Sequence, residues 1–499
     1  MNVMTPISDE RLSAAAKAFL ERPKQLFIGG RFVDAAEGKR FATEDPATGA
    51  TITEVAEAGA ADVDAAVQAA RRAFEDTWRD MAPAGRAGPM FKLADLVGQH
   101  LEELAELEAL DTGKPVAMAR ALDIPFAAEI YRYYAGWATK LEGRSYNLAL
   151  QGDPYHCYTA RQPLGVAAGI IPWNYPFAQA SFKIAPALAA GCTVLLKPAE
   201  QTPLTALRLA ELVAEAGFPD GVVNVLTGFG ETAGAAISAH DGVDKVSFTG
   251  STEVGKIIAR AATGNLKRVT LELGGKSPNI IFADADLDQA IPAAAMAIFG
   301  NTGQVCNAGS RLYVEKPVFD KVMAGIEEVA RSLKVGPGLD PDTEIGPLMS
   351  RDQLERVTSY VTKGREDGAE VAVGGSAIGE TGYFMQPTVL TGTRPDMAVH
   401  REEIFGPVLC AMSFDDSDDI PAVANDTRFG LAASIWTRDL SRAHRLARSI
   451  NAGAIWINCF GVFDPNLPFG GMRESGWGRE MAREGVEGFT EEKAVTIRL

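Results

Sequence analysis

The middle of the chain alternates short apolar strands with helices, and this rhythm restricts the fold more than any other feature. Leu164 to Ile171 reads as a strand stopped by Pro172, and Cys192 to Leu196 as the next. Val222 to Leu226 is a third, closed by Gly228-Phe-Gly230, and Lys245 to Phe248 a fourth, closed by Gly250. Helices are expected over Thr205 to Ala216 and Val254 to Ala262. Strands this short and apolar need cover on both faces, which a mostly parallel sheet flanked by helices provides. Ligands of such sheets sit beyond the carboxyl ends of the strands. Upstream, residues 61–78, 90–110 and 116–140 read as helices, the first behind an Asp cap. A second strand–helix series runs from about Asn279 to Gly470. Two pieces differ. Ser145 to Leu150 and Tyr155 to Ala160 flank Gln151-Gly-Asp-Pro154, a hairpin pattern, and Ala494 to Leu499 alternates like an edge strand. Such edges pair either with a second subunit or within their own sheet.

A length of 499 residues allows about two to four domains with ample core. Lys and Arg number 48 against 65 Asp and Glu, a formal charge of −17 that repels nucleic acid and anionic lipid. An anionic ligand therefore needs a local device, such as a helix N-terminus or a placed lysine. Residues 1–24 carry scattered charges and no apolar stretch, unlike a secretory signal. Ile184 to Leu196 is interrupted by Pro186, Gly191 and Thr193, and is too short to span a bilayer. The five cysteines, at 157, 192, 306, 410 and 459, form no C-x-x-C pair. They argue against a disulfide framework or a metal site and for a reducing compartment, hence the cytoplasm.

Two residues carry the wrong chemistry for their surroundings. Glu272 is a carboxylate in the strand-like run Val269-Thr-Leu-Glu-Leu-Gly-Gly-Lys276. Cys306 is a thiol among small and polar residues in Gly303-Gln-Val-Cys-Asn-Ala-Gly-Ser-Arg311. A base with a raised pKa and an accessible sulfur suit covalent catalysis. The same residues also fit an inert core cysteine and a buried ion-pair partner. Gly250-Ser-Thr-Glu-Val-Gly255-Lys256 nearly matches a Walker A loop, but Ile257 stands where the motif needs a magnesium-binding hydroxyl. The turn is either structural or a phosphate site built on a helix N-terminus. Lys197 and Glu200 end another strand, where a carboxylate can accept an adenosine ribose and repel a 2′-phosphate. The acid lies upstream of Gly250, unlike the standard dinucleotide fingerprint.

Seven motifs, in order, are similar to the aldehyde dehydrogenase superfamily. They are Pro172-Trp-Asn-Tyr-Pro176, Leu196-Lys-Pro-Ala-Glu200, Phe248 to Gly255, Leu271 to Asn279, Gly303-Gln-Val-Cys306, Glu403-Ile-Phe-Gly-Pro407 and Pro468-Phe-Gly-Gly471. The resemblance spans essentially the whole chain. It implies oxidation of an aldehyde to an acid with NAD⁺, with NADP⁺ second. Cys306 would be the nucleophile, Asn174 the oxyanion amide with the Cys306 N–H, and Glu272 the general base. Lys183 and Glu480 would relay protons. The cofactor would touch Ile171, Pro172, Trp173, Lys197, Glu200, Gly230, Phe248, Thr249, Gly250, Ser251, Leu273, Gly274, Glu403 and Phe405. No metal is implied.

The resemblance also implies an α/β chain in three parts. A Rossmann-like cofactor domain would take residues 1–142, 163–275 and 474–487, and an α/β catalytic domain 276–473. A small β oligomerisation arm would take 143–162 and 488–499, in a homodimer or homotetramer. Tyr175, Gln179, Phe182, Phe463 and Phe469 match the family's substrate pocket, and these rings suggest an apolar funnel. Asn458 to Phe469 is most similar to the phenylacetaldehyde branch. The same rings could cage the quaternary ammonium of a betaine-aldehyde substrate. Gln179 and Phe182 depart from the commoner Met and Trp. The rivals are a CoA-acylating enzyme, against which Glu272 argues, and a catalytically silent member, against which Cys306, Glu272 and Asn174 together argue.

Overall fold

Four short strands, each buried along its whole length, form the heart of the larger sheet: Val166–Ile170, Thr193–Lys197, Val223–Val225 and Lys245–Thr249. The computed structural model describes residues 10–149, 154–415 and 419–499. A fifth parallel strand, Arg268–Glu272, joins this group. The eight-stranded order is 476–477, 268–272, 245–249, 166–170, 193–197, 223–225, 26–28 and 31–33. Only the outer strands 476–477, 26–28 and 31–33 run antiparallel to their neighbours. A second sheet of seven strands has the order 370–373, 388–391, 408–414, 311–315, 278–281, 432–436 and 454–457. It too is parallel except at 370–373.

The register places the chemistry on one rim. Thr249 pairs with Glu272, Phe248 with Ile170, and Ile170 with Lys197. The carboxyl ends of four adjacent strands thus form one row, where parallel sheets bind ligands. Five residues, Leu273 to Ser277, carry the chain from this rim into the second sheet. Cys306 lies just before the second sheet's strand Arg311–Glu315, whose Arg311 N–H donates to the Ser277 carbonyl at 3.2 Å. The link from Glu272 therefore runs beside the cysteine loop.

Several expected elements are corrected. The helix expected over 90–110 is two, Pro83–Gln99 and Leu101–Thr112, because His100 at φ −100° and ψ 20° ends one and begins the next. The helix over 61–78 finishes as a wider turn at Phe74–Trp78. The helix over 116–140 contains a similar turn, Ala119–Asp123, before Ile124–Trp137 opens with Pro125 in its first turn. The hairpin's first strand is only Ser145–Tyr146, paired with Tyr155–Pro163. Its expected turn at 151–153 and Leu150 lie outside the described residues, as do residues 1–9 of the amino-terminal reading. The carboxyl-terminal strand is longer than expected, Thr490–Arg498, and pairs with all of Tyr155–Pro163. That sheet has the order 490–498, 155–163, 145–146, so both outer strands keep a free edge among the described residues. Cys192 and Cys410 are core residues, as expected. Among the described residues no helix is long and apolar enough to cross a membrane.

Candidate active site

Glu272 closes its strand only 3% exposed, and among the described residues its carboxylate meets no side-chain hydrogen-bond partner, only the Gly471 backbone N–H. Burial pushes this carboxyl up to about 8, against the downward pull of Lys183 and Arg479. A buried carboxylate in a stable fold normally has partners. Among the described residues Glu272 makes no ion pair within 4 Å and has only one backbone N–H, which leaves a group kept basic by its burial.

Cys306 sits half-buried on the loop between the helix Leu287–Phe299 and the strand Arg311–Glu315. The loop turns sharply, with Asn301, Thr302 and Gly303 all at positive φ. Gly303 is needed on two counts, since its φ is +69° and a methyl there would lie 2.1 Å from the Gly406 carbonyl. Gly275 matters for proximity: a methyl there would meet the Cys306 carbonyl at 2.3 Å. Burial, then the carboxylates of Glu403 and Glu272, push the Cys306 thiol up to about 12.

Asn174 is buried, and its Nδ2 donates to the Gln304 carbonyl at 2.8 Å, two residues from Cys306. Asn301 Nδ2 donates in turn to the Asn174 carbonyl at 3.2 Å and the Gln304 carbonyl at 3.4 Å. Asn174 is thus fastened to the cysteine loop rather than capping a local turn. Its amide has a second N–H for a reacting oxygen.

Lys183, on the helix Pro176–Ala190, donates to Thr249 Oγ1 at 2.6 Å and is ion-paired with Glu480. Burial pulls its ammonium down to about 7, against the upward pull of Glu272. Glu480 is only 5% exposed. Its backbone bridges Phe469 through two hydrogen bonds of 2.8 Å. Lys183, Thr249 and Glu480 therefore form one buried hydrogen-bonded chain, and Glu272 acts on Lys183 through its charge.

The expected cofactor residues line the same rim. Lys197 Nζ lies 3.0 Å from Glu200 Oε2, and burial lowers the Lys197 pKa. Glu231, beside Gly230, also acts on Lys197 and brings that turn to the same end. Ser251 caps the helix Thr252–Ala261 by accepting from the Val254 N–H at 3.3 Å. Gly250 N–H donates to the Glu272 carbonyl at 3.0 Å. Ile171 and Leu273 are buried, Pro172 half-buried, and Trp173 meets Phe405 edge-on at 5.2 Å. Glu403 Oε1 accepts from the Gly275 N–H at 3.1 Å, and burial raises its carboxyl to about 7. A methyl at Gly274 would lie 2.2 Å from Glu403 Oε2, so the Glu403 carboxylate packs against this backbone. A ribose-accepting acid, a helix N-terminus and a mobile-length carboxylate along one rim fit a dinucleotide.

The funnel residues fall into two groups. Tyr175, Gln179 and Phe182 share a helix face at i, i+4 and i+7 spacing. Phe182 packs edge-on against Phe126 at 5.8 Å, and Gln179 Oε1 is buried without a partner. Phe463 and Phe469 meet edge-on at 5.2 Å, and Trp456 adds a third ring 5.8 Å from Phe463. Trp456 was not singled out from the sequence. Neither were Gln353 and Arg356, whose side chains donate to the carbonyls of Phe405 and Glu403 at 2.7 Å each and so hold that loop. Ser475 was missed too; its Oγ donates to the Gly274 carbonyl at 2.6 Å. Gln353, Arg356 and Ser475 act across long sequence separations and left no local pattern.

Comparison with known proteins agrees with this geometry. Residues 32–495 match the model of the "Aldehyde dehydrogenase family". A Bacillus subtilis (strain 168) relative, named as the aldehyde dehydrogenase DhaS, is 50% identical over 484 residues, covering 97% of each chain. The mitochondrial aldehyde dehydrogenase of Homo sapiens is 45% identical over 499 residues, covering 98% of this chain and 96% of that one. The NAD⁺ complex of an aldehyde dehydrogenase from Bacillus cereus superposes with a TM-score of 0.96 at 47% identity, covering 98% and 99%.

Proposed function

The chain belongs to the aldehyde dehydrogenase family, an NAD-dependent enzyme class, and from that premise we infer an oxidation of apolar or aromatic aldehydes run by Cys306, Asn174 and Glu272. The observation that carries this reading is the buried Glu272 carboxylate, without a side-chain partner, beside a cysteine loop to which Asn174 is fastened. Cys306 Sγ gives its proton to water and attacks the aldehyde carbon, forming a C–S bond as the C=O π pair moves onto the oxygen as negative charge. The free Asn174 N–H and the Cys306 backbone N–H hold that oxygen, each such donor contributing about 2.7–4 kcal/mol. When bound along the rim from Lys197 to Glu403, NAD⁺ supplies the hydride acceptor and a positive ring charge opposing the two carboxylates that hold the thiol protonated. Loss of hydride leaves a thioester on Cys306. Glu272 then takes a proton from water, whose oxygen adds to the thioester carbon and releases the acid and the sulfur. Lys183 and Glu480 pass that proton onward through their buried chain.

The division of labour follows the sheets. Residues 1–142, 163–275 and 474–487 hold the dinucleotide, and 276–473 carry the nucleophile. Residues 143–162 and 488–499 form an arm whose free edges, with Tyr146, Tyr155 and Ile497 exposed, suit pairing with a second copy in a homodimer or homotetramer. The five free cysteines favour a reducing compartment, and we assign the cytoplasm. The Glu200 carboxylate favours NAD⁺ over NADP⁺.

The rings of Phe182, Phe463, Phe469 and Trp456 support an apolar or aromatic aldehyde, with phenylacetaldehyde as the type compound. The test is NADH formation across aliphatic, aromatic and trimethylammonio aldehydes, with and without CoA. Phenylacetaldehyde should give the highest kcat/KM. Preference for the trimethylammonio substrate would turn the rings into a cation cage. A CoA requirement would overturn hydrolysis, and absence of turnover would overturn the reaction.

A further inference from the structure

Behind Tyr175 lies a buried ionic cluster that none of these steps uses. The Lys114 side chain is completely buried, with its Nζ 2.5 Å from Asp123 Oδ2 and 3.5 Å from Glu108 Oε1. Glu108 Oε2 accepts from Thr205 Oγ1 at 3.1 Å, and Glu108 also accepts from the Phe177 backbone N–H in the first turn of the helix Pro176–Ala190. Asp111 Oδ2 accepts from the Leu204 N–H at 2.8 Å. Burying two carboxylates on one lysine, with Asp111 close behind Glu108, is costly unless the geometry it fixes is worth keeping. The Lys114 ammonium lies 4.1 Å from the centre of the Tyr175 ring, a close cation–π contact. Tyr175 follows Asn174 directly and reaches the cysteine loop through a side-chain hydrogen bond with Asn301. Asn301 itself holds the carbonyls of both Asn174 and Gln304.

The backbone around Lys114 also presses on the other sheet's domain. Val116 N–H donates to the Gly338 carbonyl at 2.8 Å, and a methyl on Gly346 would lie 2.0 Å from the Gly113 carbonyl. Gly346 in turn accepts from Thr302 Oγ1, on the cysteine loop, at 2.9 Å. One buried segment, residues 111–116, therefore braces both the strand-to-helix turn bearing Asn174 and the loop bearing Cys306.

We propose that Lys114, held by Asp123 and Glu108, is a positioning residue that clamps Tyr175 and so fixes the Asn174 amide against the Cys306 loop for oxyanion binding. The proposal rests on the reaction inferred above. It makes Lys114 part of transition-state geometry, although it touches neither substrate nor cofactor. A displacement of about 1 Å at a reacting geometry costs on the order of 100-fold in rate.

The test compares Lys114→Met, Lys114→Arg and Asp123→Asn, each alone and with Asn174→Ala. In Lys114→Met, kcat should fall on the order of 100-fold. NAD⁺ binding and the rate of Cys306 alkylation by iodoacetamide, which forms no oxyanion, should stay at the wild-type level. Lys114→Arg should recover part of kcat. In the Asn174→Ala background Lys114→Met should add about twofold or less, because the two act as a unit. Asp123→Asn nearly preserves volume and gives the same pattern if Lys114→Met fails to fold. Wild-type kcat in these variants, full additivity with Asn174→Ala, or parallel loss of alkylation and turnover would each overturn the clamp. Absence of aldehyde turnover in the wild type would overturn the reaction and the clamp together, whereas wild-type kcat in Lys114→Met overturns the clamp alone.

Discussion

Two buried lysine–carboxylate clusters lie along the helix Pro176–Ala190, and their difference explains which one reacts. Lys183 stands with Glu480 and Glu272, and Lys114 with Asp123 and Glu108. Both lysines are fully buried, and burial raises a carboxyl in each cluster, Glu272 to about 8 and Glu108 to about 7. In the Lys114 cluster each carboxylate has a partner, from Lys114, Thr205 or the Phe177 N–H. In the Lys183 cluster Lys183 is taken by Glu480 and Thr249, and Glu272 keeps only the Gly471 backbone N–H, with no side-chain partner. A satisfied buried charge fixes geometry, while a poorly satisfied one is held ready for a proton. Composition is alike in the two clusters; hydrogen-bond satisfaction separates them.

The contrast can be broken most directly at Glu272. Glu272→Gln should lower the steady-state rate on the order of 1,000-fold. A first-turnover burst of NADH should survive in rapid-mixing experiments, because acylation needs only the sulfur and the oxyanion donors. Equal loss of burst and steady rate would remove Glu272 from the hydrolytic step. Asn174→Ala should lower kcat on the order of 100-fold. Here burst and steady rate should fall together, since both half-reactions pass through an oxyanion.

The pH profile sharpens the same comparison. The base works deprotonated, and burial places the Glu272 carboxyl at about 8. The wild-type steady rate should therefore climb as pH rises through about 8, and Glu272→Gln should lose that limb. A flat wild-type profile across this range would count against a base raised by burial. Stability should show the opposite bias. Asp123→Ala leaves the Lys114 ammonium without its nearest partner and should cost about 3 kcal/mol, read as a lower midpoint in thermal or urea unfolding. Glu272→Gln should hold or raise that midpoint, because it removes a buried charge that has no side-chain partner. The smallest effect belongs to the rim. Glu200→Gln should shift the NAD⁺ to NADP⁺ ratio of kcat/KM by about tenfold toward NADP⁺.

Much of the site could be read from residue pattern because its members sit in short, dense motifs. Glu272 at the end of an apolar strand and Cys306 in a glycine-rich turn were both anomalous before any contact was known. The four inner strands were legible within a residue or two, since a short apolar run between turns leaves few other readings. The splitting of the helix over 90–110 was not, because helical periodicity continues across His100 while its backbone does not. Lys114 and Glu108 were also invisible. A lysine and a glutamate on a helical stretch read as solvent-facing, and their burial depends on helices more than 60 residues away in sequence, as the Phe177 and Thr205 contacts show.

The layered α/β plan and the family were legible in the sequence alone, and Cys306, Asn174 and Glu272 stood out as candidates through the family resemblance, because apolar strands and ordered motifs are local patterns. Only the tertiary structure decided which buried carboxylate would lack side-chain partners, which side chains would hold the Glu403–Phe405 loop, and that one segment braces both halves of the site. Those outcomes depend on hydrogen bonds and desolvation between distant parts of the chain, and these exist only once the two sheets have packed.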